Sequence, residues 1–274
     1  MPFSTRKILK FITDHPHYEQ LLAAQPRLPC RLHRPYLSTS LKRREGAEAI
    51  VYHYQIMKDT LGADAFIRHL SEGLCIAEFE GKSQDRYQLI FISTLKLDRE
   101  GEASLILKNH QNKMLCEITF TLCERDCKTV LIIGGLQGPR GDDAQENIHF
   151  STKDFFGIFP KKLVFEALLT ISKLFNVNQI VAVSNKTHVY HSLRYLNRQK
   201  LMHADYSNFW QMMGGVMMLD GNYEIPCYSI RKDMASIPSK KRAEYRRRYD
   251  LLNYINDEIN KNFSALLVSC HKTA

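Results

Sequence analysis

Apolar positions along the chain fall into three regimes. The first third carries helical spacing. RKILKFI (6–12) and HYEQLLAA (17–24) are short helix candidates, the second stopped before Pro26. In EGAEAIVYHYQIMKDTLG (45–62) apolar residues recur at Ile50, Tyr54, Met57 and Leu61, three or four apart, which predicts an amphipathic helix. ADAFIRHLSEG (63–73) continues the pattern and ends at a glycine. Between these, PRLPCRLHRPYL (26–37) holds three prolines. It reads as extended or looped, because proline lacks a donor and restricts its predecessor.

The middle third switches to period two. Residues 74–79, 87–97, 103–108, 114–123 and 129–136 read as strands, and EITFTLCE (117–124) alternates with Ile118, Phe120 and Leu122 on one face. The connections GKSQDR, DREG, NHQNK and ERDCK are short and polar, which favours antiparallel meander pairing. The last third mixes periods. A helix is predicted from Pro160 to Phe175, where proline suits the first turn because its missing donor would be unpaired there anyway. NQIVAVSN (178–185) is nearly all apolar, as a strand buried on both faces would be. Helices at 188–197 and 208–213, strands at 216–219 and 226–230, and a final helix at 239–259 complete the reading. The order predicts an α+β, or mixed α/β, fold. A largely antiparallel central sheet contains one strand–helix–strand crossover, with a helical N-terminal part and a long basic C-terminal helix. The expected organisation is a helical subdomain (1–73) packed on a mixed-sheet core (74–262), then a tail (263–274).

Composition narrows the partners more than the fold. The 274 residues suffice for a large core. The formal net charge of +9 favours anionic partners without choosing among nucleic acid, phospholipid and phosphate-bearing small molecules. Lys7, Lys10, Asp14 and His15 interrupt any apolar signal region near the start, and no run approaches the roughly eighteen apolar residues of a membrane span. A cytoplasmic location follows as an expectation. Seven cysteines, mostly inside strand-like runs, read as reduced buried thiols. Cys116, Cys123 and Cys127 lack the second pair of a zinc knuckle, so no metal is expected.

Four stretches are candidates for chemistry. LIIGGLQGPRG (131–141) ends a strand in glycines, where backbone amides can approach a ligand; Gly134, Gly135 and Gln137 are its candidate contacts, and a bulge and turn is the alternative. Its spacing matches no nucleotide loop. Lys161 and Lys162 open the next helix, where cations oppose the helix dipole unless an anion rests there. SNKTHVYHSLRY (184–195) follows a buried strand at its C-terminal end, the end at which sheets with parallel strands place ligands. His188 is a candidate general base and Asn185 a candidate ligand contact there, with helix capping as the alternative. Asp205 and Tyr206, in ADYSNFW, are the other catalytic candidates, Asp205 also suiting an N-cap. Finally, SKKRAEYRRRY packs Lys240, Lys241, Arg242, Arg246, Arg247 and Arg248 into nine residues. Beside a Tyr/Leu/Ile stripe, these cations suit an anionic membrane surface or lipid headgroup. Nucleic acid is not expected, because no recognised binding signature accompanies the charge.

The blocks LIIGGLQGP, GIFPKKLVFEAL, IVAVSNKTHVY, ADYSNFW and IPSKKRAEYRRRYDLL, in this order, resemble the VirK/YbjX family of Gram-negative bacteria. The resemblance runs from about residue 35 to 260. It implies a role in virulence, the cell envelope or lipid A, and antimicrobial-peptide resistance, and brings no established reaction. KLVFEALLTISKLFNVNQIVAVSN is similar to the helix and strand of the cofactor-binding motif in the acyl-CoA N-acyltransferase (GNAT) fold. That second resemblance implies acyl-CoA or an acyl carrier protein as cofactor, amides of 130–136 on the thioester oxygen, and pyrophosphate at the helix starting at Pro160. About twenty extra residues between strand and helix, and Ser192 rather than Tyr190 or Tyr195 near the expected acid position, depart from it. Two functions follow as expectations. One is an acyl-CoA-dependent acyltransferase at the cytoplasmic face of the inner membrane, acting on a small-molecule envelope precursor. The other is a non-catalytic regulator that meets anionic lipid or a protein through the basic helix.

Overall fold

The computed structural model describes residues 2–93, 95–192, 194–195 and 205–267. Four helices come first: α1 (Pro2–Asp14), α2 (Tyr18–Ala24), α3 (Arg43–Thr60) and α4 (Ala63–Ser71). Five strands follow as a meander: β1 (Leu74–Glu80), β2 (Arg86–Ser93), β3 (Ala103–Asn109), β4 (Met114–Arg125) and β5 (Lys128–Gln137). Then come α5 (Ala144–Asp154), α6 (Pro160–Leu174), β6 (Gln179–Ala182), α7 (Tyr206–Met212), β7 (Val216–Met217), β8 (Tyr223–Ile225) and α8 (Ser239–Ser264). The strands form one sheet in the order β1-β2-β3-β4-β5-β6-β8-β7, antiparallel except for β5 with β6. The expected α+β class, with one crossover through α6, is what the chain adopts.

Several boundaries differ from the sequence reading. Within 26–37 the chain forms a 3-10 turn over Leu28–His33, where Pro29 suits the first turn because the donor it lacks would be unpaired there anyway. β2 stops at Ser93 because the chain is drawn inward at Asp98 and Glu102. α5 occupies the connection read as a long loop; its amphipathic signal is weak, with only Ser151 and Asp154 buried. The helix expected at 188–197 is a 3-10 turn at Val189–His191 with 3-10 geometry again at 194–195, and residues 193, 196 and 197 lie outside the described residues. β8 sits at Tyr223–Ile225, upstream of the expected 226–230, because Pro226 cannot donate within a sheet interior. Cys30, Cys75 and Cys127 are exposed rather than buried, Cys127 on a left-handed turn residue after Asp126.

One hydrophobic core runs from Ile8 in α1 to Phe263 in α8. Within it lies a charged centre. The Arg31 guanidinium, fully buried, reaches Asp98 at 2.7 Å and Glu102 at 3.1 Å, and donates to Gln25 at 2.7 Å. The Tyr54 hydroxyl donates to Glu102 at 2.6 Å, and Gln25 donates to Ser93 at 3.0 Å. Burial pushes the Glu102 carboxyl up in pKa, against the opposing pull of Arg31 and Tyr54. This network ties α2, α3 and the 3-10 turn to the β2–β3 connection. Arg31→Leu leaves the buried Glu102 without its cation and Asp98 with only Arg27 and Arg99 at 3.7 and 3.6 Å, and a loss of about 3–5 kcal/mol is expected, measured as a lower urea midpoint.

Three histidines are buried beside it. Burial lowers the His69 pKa to about 4, and lowers His15 to about 4 with help from His17 and Lys58. His53 is lowered for the same reason, with His69 adding to it. In the unfolded chain these rings titrate near 6.5, so between 6.5 and 4 the unfolded state binds more protons. Stability therefore falls as pH drops through this window. For His69 the full effect is about 3 kcal/mol. Urea midpoints measured from pH 7.5 to 4.5 are expected to decline, with a shallower slope in His69→Leu.

Candidate functional site

Of the four glycines of the LIIGGLQGPRG stretch, Gly134 and Gly135 lie inside β5, and Gly138 and Gly141 follow its end. Thr119 and Phe120 of β4 face Gly135 and Ile133, so Gly134 is an extra residue and the strand bulges there. The reason is a second chain segment pressed onto β5. A Cβ at Gly134 would overlap the Glu100 carbonyl, and one at Gly135 would overlap the Glu100 carboxylate. Glycine in a strand interior marks such close approach. On the other side, β5 and β6 pair from Val130↔Gln179 to Ile133↔Ala182, extended by Val183 N–H donating to the Ile133 carbonyl. Farther along, the Leu136 N–H donates to the Tyr206 hydroxyl at 3.3 Å.

Glu100 is fully buried and has two neighbours with polar groups aimed at it. Gln137 Nε2 donates to both carboxylate oxygens at 3.0 Å. His188 Nε2 stands 3.9 Å from Glu100 Oε1 and has no hydrogen-bond partner among the described residues. The imidazole is held from the other end, where Nδ1 accepts from the Tyr190 N–H at 3.3 Å. Its ring packs between Tyr190 and Tyr206, with centroids 5.0 and 5.2 Å away. Burial, reinforced by Glu100, raises the Tyr206 pKa, so its hydroxyl keeps its proton at neutral pH.

The other predicted residues frame this group. Asn185 Oδ1 accepts from the Tyr206 N–H at 2.8 Å, while its amide donates to Asp205 at 3.0 Å. Asp205 caps α7 by accepting from the Asn208 N–H at 3.1 Å. Asp205 and Asn185 thus orient Tyr206 against His188. Lys161 and Lys162 lie apart from it in the first turn of α6, half-exposed, with Lys161 near enough to Cys116 to act on its charge. Burial nevertheless pushes the Cys116 thiol up to about 12, so it is inert as a nucleophile. Of the six cations on α8, Arg248 donates to the Phe156 carbonyl at 2.9 and 3.1 Å and Arg242 to the Ile237 carbonyl at 2.8 Å. Lys240, Lys241, Arg246 and Arg247 stay exposed.

Gln137 also opens onto a groove of about 1130 Å³. One wall is the sheet face carrying Ile92, Ile106, Met114 and Glu117, the other is α2 and α4 with Ala23, Ala24, Ile67 and Leu70. Ile106, Glu117 and Gln137 are direct cross-strand neighbours, so they share this face. Lys96, Lys108 and Arg140 stand at the margin, and Tyr190 closes the end near His188. Burial, followed by Glu100 among the raising causes, lifts the Glu117 pKa against Ser104, Lys96 and Arg140.

Sequence reasoning placed Gln137, His188 and Tyr206 as candidates, and the fold brings these three together. It missed Glu100 and Glu117. Glu100 sat in DREG, read as a polar connection; the available signal was the pair of glycines inside a strand, which demanded a partner. The fold and site define an α+β protein with a buried Glu–Gln–His group at the end of an apolar groove. The family model described as "Protein of unknown function (DUF535)" matches residues 1–261, and the chain belongs to this family. The chain is 41% identical over 264 residues to the uncharacterised protein YbjX of Escherichia coli K12, covering 96% of this chain and 80% of that protein. An uncharacterised protein of Haemophilus influenzae is 27% identical over 162 residues, 59% of this chain and 53% of that one.

The seat of Glu100 is testable by a double-mutant cycle. Gly135→Ala is expected to cost about 1–3 kcal/mol by overpacking. In a Glu100→Ala background the cost shrinks, giving a coupling of about 1 kcal/mol or more in urea unfolding.

Proposed function

We propose that the chain binds an anionic amphiphile, with an acyl chain along the groove and the charged head near Lys96 and Arg140. The observation that carries this reading is the lining of the groove: apolar along both walls, cationic at the margin, polar at the Gln137 end. An apolar cleft with a few placed polar groups is the usual form of a small-molecule site. Its volume accommodates a long hydrocarbon chain. The envelope and lipid A role implied by the family resemblance involves ligands of this chemistry.

An acyl thioester of CoA or an acyl carrier protein is the donor that the GNAT resemblance suggests, and acyl transfer is then the reaction. The element order supports that suggestion: meander, glycine-bearing strand, helix, parallel strand, helix, two strands. In this reading Tyr206 is the acid, because its hydroxyl stays protonated and sits at the end of β5. His188, whose Nδ1 is occupied, positions the charge of Glu100. No helix among the described residues is long and apolar enough to cross a membrane.

The test is displacement of a fluorescent fatty acid by acyl-CoAs and free fatty acids of increasing chain length. Each buried methylene is expected to add about 0.8 kcal/mol until the groove is filled. Ile106→Trp, which fills the groove, and Lys96→Glu with Arg140→Glu, which reverse its margin, each weaken binding about tenfold or more. No displacement by any acyl anion at millimolar concentration sinks the proposal.

A further inference from the structure

The two cationic stretches separated by about eighty residues in sequence meet at one end of the molecule. α6 and α8 run side by side in the same direction. Thr170 Oγ1 of α6 donates to Asn256 Oδ1 of α8 at 2.7 Å, and farther along, at the end of α6, the rings of Phe175 and Phe263 are 5.5 Å apart. The offset is 86 residues at the first contact and 88 at the second. Counting back, the first turn of α6, Pro160–Lys162, is level with Arg246–Arg248. The clamp at this end agrees: Arg248 donates twice to the Phe156 carbonyl, and the Arg247 guanidinium lies 5.9 Å from the Phe156 ring centre. α8 begins seven residues before this level, so it overhangs α6 by about 10 Å.

At this level Lys161 and Lys162 open α6 and Arg246 and Arg247 lie on α8, where Arg247 shares a pocket with Glu78, Glu80 and Asp250; Lys240 and Lys241 occupy the overhang. Phe159, immediately before α6, projects a large apolar ring that is 59% exposed. Glu244, an acid within the basic run, is already paired with Arg248 at 2.9 Å, and Asp250 lies one turn farther on. Cations on the same end as a protruding aromatic ring have the chemistry of a contact with an anionic bilayer, where the ring sits among headgroups and the cations meet their phosphates. The geometry points to this composite end, Phe159–Lys162 together with Lys240–Arg247, as the face that docks the protein on an anionic phospholipid surface. Neither stretch suffices in this arrangement: α8 supplies most of the charge, and the α5–α6 connection supplies the apolar anchor. Charge complementarity selects the occupant. A second copy of this chain would present the same cations to them, and a nucleic acid offers no apolar phase for Phe159.

The experiment is flotation of the full chain with vesicles of phosphatidylcholine, with and without phosphatidylglycerol. Binding is expected only with phosphatidylglycerol, and to fall as salt rises. Phe159→Ser, the pair K161E/K162E and the pair R246E/R247E are each expected to weaken binding about tenfold or more, each melting as the parent does. The pair R43E/R44E, exposed on α3, changes net charge equally and leaves binding intact. The groove-filling variant Ile106→Trp also keeps vesicle binding, so failure of the groove proposal and failure of this one are read separately. Four results would overturn it: equal binding to neutral vesicles; an equal loss with R43E/R44E, which would make net charge the cause; full binding by Phe159→Ser or K161E/K162E, which would confine contact to α8; or self-association through this end in the absence of lipid.

Discussion

The structure depends on the buried cation of Arg31. Arg31 carries its charge into a region that excludes water, and two carboxylates from the β2–β3 connection must follow it there. An unpaired charge in that position would be costly, so the connection cannot remain a surface turn. It is drawn inward, and Asp98 and Glu102 fix its ends. Arg99 reinforces the same link by donating to the Arg31 carbonyl at 2.7 Å, and the Leu37 N–H returns a bond to the Arg99 carbonyl. Glu100, between the two anchors, has one place to go, which is onto β5.

The bulge in β5 follows from that. A strand with side chains at Gly134 and Gly135 could not accept the Glu100 backbone and carboxylate. Two glycines make room, the register slips by one residue, and Gln137 is carried to a position where one amide spans both oxygens of Glu100. The network at the N-terminal helices and the group at the sheet end are thus one mechanical chain. Arg31 sets the connection, the connection sets Glu100, and Glu100 sets the strand that lines the groove.

This chain explains what the sequence revealed and what it concealed. Periodicity found the meander, α3, α6 and β6, because each buries a regular face. Gln137, His188 and Tyr206 were legible because glycine spacing and the end of a buried strand mark places where chains and ligands meet. Glu100 was not legible, since an acidic residue in DREG is indistinguishable from a solvated turn until Arg31 is known to be inside. Arg31 was hidden for a similar reason. It sits in PRLPCRLHRPYL with two other arginines, and only the fold shows which one turns inward. Period-based reading finds faces, and a charge pair joining residues 31 and 102 has no period. α5 escaped for another reason: it buries too little to show a stripe.

The same limit applies where α6 and α8 begin. Lys161 and Lys162 looked like an anion site on their own helix, and the run from Lys240 to Arg248 looked like a separate basic face. Their relation rests on the parallel packing of α6 and α8, which Thr170 with Asn256 and Phe175 with Phe263 hold in register. Lysines in the first turn oppose the helix dipole, and adjacent like charges on α8 raise that cost. Two cation clusters brought level with one another repel unless a third, negative party lies between or beneath them. The fold answers part of that repulsion internally, through Glu244 and the Phe156 carbonyl, each of which engages Arg248. Glu78, Glu80 and Asp250, which share a pocket with Arg247, answer a further part, and Lys161 and Lys162 follow directly on an exposed phenylalanine, Phe159. The groove and this end therefore make different demands on a ligand, one for a chain that can be buried and one for a surface of negative charge. An anionic membrane lipid is a molecule in which both are present.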